Sequence, residues 1–280
     1  MLKISTLVEN GKLPDERLCA EVGLSFFIEY NEKSILFDCG LSDNFLKNAQ
    51  VVGVDPLKAD MVVLSHGHFD HANGFPEYMS RRESFELYIG KPFFLDRYSV
   101  ETDKPIRYLG VNFTQDDLDS HSGINVHIAD QDLLEIMPGA YIITNFKRSS
   151  PFEPLPKRMQ VKLSDGGYEQ DVFDDEICLV FETAKGLCLI VGCSHPGIAN
   201  MMEAVRERFS DKEIYAVVGG THFRDASEQQ IINAINCLDH AGTKILGLAH
   251  CSGAEVSKYI EGHDAQYMQF CTGKTITLED

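Results

Sequence analysis

Six consecutive residues hold the densest chemistry in this 280-residue chain: His66-Gly67-His68-Phe69-Asp70-His71. Three imidazoles and a carboxylate in so short a run can share metal ions. Alternate residues of an extended segment project to one side, so His66 and His68 can hold one ion together. Asp70 and His71 follow as the chain turns into a helix, and they can reach a second ion. Paired metals about 3.5–4 Å apart form a recognised hydrolytic arrangement.

Three further histidines close apolar runs after small residues: Leu187-Cys-Leu-Ile-Val-Gly-Cys-Ser-His195, Ile214-Tyr-Ala-Val-Val-Gly-Gly-Thr-His222 and Ile245-Leu-Gly-Leu-Ala-His250. His66 closes a run in the same way. Ligands of open α/β sheets sit beyond the carboxyl ends of strands, and neutral imidazole is the commonest metal ligand. Four histidines in one structural role point to one metal centre. His121, His127, His240 and His263 lack that placement and read as structural or surface residues. A serine triad is disfavoured because Ser194 and His195 are adjacent, and neither G-x-S-x-G, a Walker loop nor a dinucleotide fingerprint occurs.

The elements that must position these residues are legible from periodicity. Strands are expected at 3–8, 22–30, 34–37 and 61–64, with a helical patch at 43–50. Residues 85 to 170 are irregular, broken by Pro92, Pro105, Pro138, Pro151, Pro154 and Pro156. The last third reads as strands 177–182 and 187–191, helix 198–209, strand 214–218, helix 227–240, strand 245–248 and helix 254–261. Such alternation implies an α/β protein with helices layered on a sheet. We expect one domain over 1–280, with an irregular insertion at about 90–170 overhanging the site.

Forty-three acidic against 25 basic residues give a formal charge of −18, which argues against nucleic acid or an anionic membrane as partner. No apolar run approaches the ~18 residues of a membrane span. The N-terminus reaches Glu9 before a signal-peptide core develops. The eight cysteines include no CxxC pair, and several lie in apolar stretches, so reduced thiols and a cytoplasmic location are expected.

The His66–His71 run, with Asp38 closing an early strand, resembles the signature of the metallo-β-lactamase fold superfamily. The resemblance implies a four-layer αββα sandwich with metals at one edge of two sheets. Gly192-Cys193-Ser194-His195-Pro196-Gly197, Gly219-Gly220-Thr221-His222 and Ala249-His250-Cys251-Ser252-Gly253 resemble the 7,8-dihydropterin-6-yl-methyl-4-(β-D-ribofuranosyl)aminobenzene 5'-phosphate synthase-like subgroup. By that resemblance His66 and His68 hold the first metal, Asp70 and His71 the second, His250 completes the second site, and Asp38 orients a ligand. Two departures stand out. Pro138-Gly139-Ala140-Tyr141 lacks the usual histidine, and Gly192 is followed by Cys193 where an aspartate is usual. His195 is expected to replace one lost ligand, with Cys193 as the alternative, since thiolate binds zinc well.

One or two divalent ions are implied, with zinc the default and iron or manganese also suited. The expected activity is that of a metal-dependent hydrolase using metal-bound hydroxide on a small anionic, phosphorylated ester. Alternatives are a dihydropterin diphosphate-dependent transferase and a non-catalytic metal- or ligand-binding protein. Asp70 and His222 are the candidate catalytic residues, His222 as acid/base, phosphate holder or a further metal ligand. Lys147, Arg148 and Arg158, in the basic segment 145–158, are expected to bind the anionic substrate. Phe93-Phe94-Leu95 and Arg97-Tyr98 are candidates for the opposing wall or for core packing.

Overall fold

The computed structural model describes residues 1–278. Its strands alternate between two buried faces. Phe26 and Ile28 point one way and Phe27 the other; Ile35 and Phe37 oppose Leu36; Leu179 and Phe181 oppose Cys178 and Val180. Sheets buried on both faces produce such nearly continuous apolar runs. One sheet runs in spatial order Thr275–Leu278, Leu2–Val8, Ser25–Tyr30, Lys33–Phe37, Met61–Leu64, Phe85–Gly90 and Ile124–Ala129. The other runs Gln266–Tyr267, Ile245–Leu248, Ile214–Gly219, Gly186–Val191, Cys178–Thr183, Ala140–Ile143 and Leu133–Met137.

The inner faces of both sheets share one core that includes Ile4, Phe26, Ile28, Phe37, Phe181 and Val218. Helices Asn44–Val52, Phe75–Met79 and Gln115–Ser120 bury Phe45, Phe75, Tyr78 and Leu118 on the outer face of the first sheet. Helices Ile198–Arg208 and Glu228–His240 bury Met201, Val205, Ile235 and Leu238 on the outer face of the second. The architecture is the αββα sandwich. Among the described residues no helix is long and apolar enough to cross a membrane.

In each sheet the strands that precede the histidines are parallel: Lys33–Phe37 beside Met61–Leu64, and Gly186–Val191 beside Ile214–Gly219 and Ile245–Leu248. Their carboxyl ends meet at one edge. There the backbone of Ile177 donates to the carbonyl of Ser65 across the sandwich at 2.9 Å.

The stretch read as irregular divides in two. Ile124–Ala129, Leu133–Met137 and Ala140–Ile143 join the large sheets, whereas Arg97–Ser99, Arg107–Tyr108, Met159–Lys162 and Tyr168–Gln170 form a separate four-stranded sheet. A small apolar cluster of Leu109, Met159 and Phe173 packs beside Phe69 of the histidine run. The helix expected at 254–261 is a single 3-10 turn, Val256–Tyr259. Gly253 and Gly262, both at positive φ, flank it and confine the helical stretch, while Val256 and Ile260 still anchor the segment on the outer core of the second sheet.

Phe181 lies fully buried between the sheets, edge-on to Tyr30 at 5.1 Å. Phe181→Ala is expected to cost about 3–5 kcal/mol, read from urea unfolding midpoints. A change below about 1 kcal/mol would contradict a tightly packed inner layer.

Candidate metal centre

His66, His195 and His250 sit just past the carboxyl ends of strands, where the backbone must turn sharply, and Asp70 and His71 follow on the short helix Phe69–Ala72. Four non-glycine residues at these corners adopt positive φ: Asp38 at 57°, Ser194 at 60°, His222 at 55° and His250 at 52°. Such conformations persist only where surroundings enforce them, and they cluster at functional sites.

The first group comprises His66, His68 and His195, all buried, with their ligand atoms within 4.8 Å of one another. Ser65 Oγ lies 2.9 Å from His66 Nδ1, and Glu176 Oε2 lies 2.8 Å from His195 Nδ1. The Nε2 atoms of all three histidines are buried without a hydrogen-bond partner. An unpaired buried polar atom costs about 1–3 kcal/mol, so three aimed together are a set that fits a divalent cation. Burial, reinforced by the neighbouring imidazoles, holds His66 and His68 well below the ordinary histidine range. Burial also lowers His195 to about 3. Neutral imidazole is the form that binds metal.

The second group is Asp70, His71 and His250. Asp38, fully buried, accepts from the Ser65 backbone at 2.7 Å and from Ser65 Oγ at 2.8 Å, and its Oδ2 lies 2.6 Å from His71 Nδ1. That contact turns His71 Nε2 toward the centre, 3.1 Å from Cys193 Sγ. Burial would lower His71, but the Asp38 carboxylate outweighs it and leaves the imidazole above its usual value. Asn10 Oδ1 meets His250 Nδ1 at 2.9 Å, and Glu9 accepts the His250 backbone N–H at 2.8 Å. Burial would raise Asp70, but the hydrogen bond from His250, 3.3 Å away, and the His71 imidazole hold it far below the carboxylate range.

Beneath both groups lies a buried clamp that sequence reasoning missed. Arg97 is 1% exposed; its Nε donates to Asp171 at 2.8 Å and its Nη2 to Asp175 at 2.6 Å. Its Nη1 reaches the Phe93 carbonyl at 2.9 Å, while Asp175 accepts the Gly67 backbone N–H at 2.8 Å. The clamp therefore fixes the peptide between His66 and His68. A Cβ at Gly67 would lie 2.2 Å from the Phe93 carbonyl oxygen, so only glycine fits. Asp171 also accepts the Phe173 backbone N–H at 2.8 Å, and the Phe173 ring stacks on His195 at 4.1 Å. Glu176 accepts the backbone N–H groups of Ser194 at 2.5 Å and His195 at 2.9 Å, which shapes the turn carrying His195. The one sequence cue was the acidic run Asp174-Asp175-Glu176, set directly before an apolar strand.

A cavity of about 440 Å³ opens beside the first group, lined by His195, His222, Arg158, Phe152, Leu155 and Phe223 among others. Burial and the adjacent His195 lower His222 to about 3. His222 joins none of the ligand groups; its ring is 4.7 Å from that of His195, and its Nδ1 is 3.9 Å from Asp225. Arg158 pairs with the same Asp225. Glu153, another lining residue, accepts the Ala199 and Asn200 N–H groups at 2.9 and 3.1 Å, which ties this wall to the start of helix Ile198–Arg208.

Two expected substrate contacts fall elsewhere. Lys147 pairs with Glu207 at 3.2 Å on the outer helix, and Arg148 lies 3.8 Å from Asp174; neither lines the cavity. Phe93 belongs to the outer core of the first sheet, Arg97 lies under the histidines rather than in a wall, and Tyr98 packs on Tyr108 and Tyr168. Ala140, where the usual histidine is missing, is buried in the inner core, and His195 occupies the third place around the first group.

Residues 20–83 match the family model described as the metallo-beta-lactamase superfamily. The chain is 28% identical to the 7,8-dihydropterin-6-methyl-4-(beta-D-ribofuranosyl)-aminobenzene-5'-phosphate synthase of Methanocaldococcus jannaschii, over 98% of this chain and 96% of that protein. The crystal structure of a metal-dependent hydrolase of the beta-lactamase superfamily superposes with a TM-score of 0.85 at 26% identity, covering 100% of both chains. A diphosphatase from the PhnP family shares the fold, with a TM-score of 0.55 at 13% identity over 100% of this chain and 98% of that one.

Zinc at a hundredfold excess over its dissociation constant is expected to stabilise the metal-free protein by about 2.7 kcal/mol, and His68→Ala should abolish the gain in thermal melts. Asp38→Asn should weaken zinc binding about 10–100-fold in equilibrium dialysis. Unchanged affinity in that variant would remove Asp38 from the account of the site.

Proposed function

Because the chain belongs to the metallo-β-lactamase superfamily, we propose that it is a metal-dependent hydrolase acting on a small anionic, phosphorylated ester. One observation carries this reading: His195 belongs at once to the three-imidazole group and to the wall of the cavity. A molecule in that cavity therefore lies against the centre. His66, His68 and His195 would hold the first ion, and Asp70, His71 and His250 the second; the imidazole-rich set suits zinc. When bound, such an ion supplies Lewis acidity and activates water at neutral pH.

The chain's own residues do the rest. Arg158 offers a planar fork of donors to an anionic group, oriented by its pairing with Asp225. His222, on the same wall, is placed to hydrogen-bond a substrate oxygen. Phe152, Leu155 and Phe223 form an apolar surface that excludes water and favours a partly aromatic substrate.

Transfer rather than hydrolysis is the second reading, favoured by the nearly full-length similarity to the synthase. In that case an acceptor in the cavity, and not water, would displace a diphosphate.

Steady-state kinetics on a panel of phosphorylated esters, with and without candidate acceptors, tests both readings. The hydrolase reading expects turnover without acceptor, loss of turnover with chelator and in His68→Ala, and a KM raised about 10–100-fold by Arg158→Ala, matching about 1.5–3 kcal/mol for a charged hydrogen bond. Diphosphate release that strictly requires an acceptor would replace hydrolysis by transfer.

A further inference from the structure

We propose that the second metal position is a two-sulfur site, with Cys193 and Cys251 serving with His250 as ligands for a thiophilic divalent cation such as zinc, cobalt or cadmium. The two thiols come from different corners of one sheet. Cys193 follows strand Gly186–Val191, and Cys251 sits in the 3-10 turn His250–Ser252 that follows strand Ile245–Leu248. Both are buried, and their sulfur atoms lie with a ring nitrogen of His250 within 4.8 Å of one another.

Cys193 also forms a group of the same compactness with His66 and His71. It thus lies between the two positions, where a bridging ligand belongs, and Cys251 lies beyond it on the His250 side. Asp70, His71 and His250 make up the remainder of that neighbourhood. Two thiolates with imidazole and carboxylate form a donor set for soft or borderline ions, and hard oxygen-seeking ions such as magnesium bind it poorly.

The surroundings of Cys251 suit a ligand sulfur. The backbone N–H of His222 donates to its Sγ at 3.2 Å, which stabilises negative charge on sulfur. Its sulfur also lies in hydrogen-bonding reach of the Cys193 thiol and makes a long contact of 3.6 Å to the Cys193 carbonyl, so the two sulfurs face each other. The neighbouring corner is built to admit the sulfur: a Cβ at Gly220 would stand 2.6 Å from it.

The inference rests on reading this edge as a metal centre, and cobalt alone serves as the probe that separates the two. Metal-free protein, kept reduced, is saturated with cobalt, and bound metal and near-ultraviolet absorption are measured together. The expected result is a strong sulfur-to-cobalt charge-transfer band in the parent protein. It should fall to about half in Cys251→Ser and in Cys193→Ser, one sulfur of two remaining in each. The double variant should lose the band yet keep cobalt on its imidazoles, which also reports that it is folded. Cobalt bound without a band, or a band of full strength in Cys251→Ser, would overturn the two-sulfur site while leaving the imidazole centre intact. No cobalt uptake at all would overturn both.

Discussion

Three imidazole nitrogens held within 4.8 Å of one another, away from water and without partners, are an expense that nothing local to His66, His68 or His195 can offset. Left alone, the rings would rotate or the loops would open to solvent. They stay because the rings of His66 and His195, and the peptide before His68, are pinned from behind. Ser65 and Glu176 face the opposite ring nitrogens of His66 and His195, Phe173 stacks on His195, and the Arg97–Asp175 clamp fixes the peptide at Gly67. Breaking a buried ion pair by removing one partner is strongly destabilising, so this underlayer tolerates little change. Preorganisation of ligands is thus written into the backbone turns and not only into the side chains that touch an ion.

The sandwich makes that arrangement affordable in structural terms. Parallel strands in both sheets end at the same edge, and the inner core of Ile28, Phe37, Phe181 and Val218 fixes how the two edges face each other. The small extra sheet adds a floor: its cluster of Leu109, Met159 and Phe173 packs on Phe69, one residue before Asp70. The wall that carries Arg158 is tied down in turn, since Glu153 caps helix Ile198–Arg208 and Asn200 accepts the backbone N–H groups of Ser149 and Ser150 at 2.9 and 2.8 Å. The basic segment is therefore held in place, not loosely draped over the site.

Much of this could be read in the sequence wherever the signal was contiguous. The His66–His71 run and the histidines after apolar strands announced themselves through spacing, and two-residue alternation gave most strands. Arg97, Asp171 and Asp175 did not, because they become meaningful only when residues 74 and 78 positions apart meet under Gly67, and Glu176 did not, because its partners Ser194 and His195 lie 18 and 19 positions on. Asn10 and Glu9 are coupled to His250 across 240 and 241 positions. For Lys147 and Arg148 the converse holds: a cluster of like charges says nothing of which side chain faces a cavity, and here Lys147 pairs with Glu207 and Arg148 lies 3.8 Å from Asp174. The expected helix at 254–261 shrank to one 3-10 turn because Gly253 and Gly262, both at positive φ, interrupt the helical backbone on either side, although Val256 and Ile260 keep the apolar spacing that suggested it.

The ligands divide between the two sheets: His66, His68, Asp70 and His71 follow a strand of one, whereas Cys193, His195, His250 and Cys251 follow strands of the other. Neither the His66, His68 and His195 group nor the Asp70, His71 and His250 group can be completed from one half of the polypeptide. An ion settling there would act as a clasp between layers otherwise joined mainly by oily contact, so its arrival is a mechanical event as well as a chemical one. Chemistry at this edge and the seating of one layer on the other would then be inherited together, and neither could drift without the other.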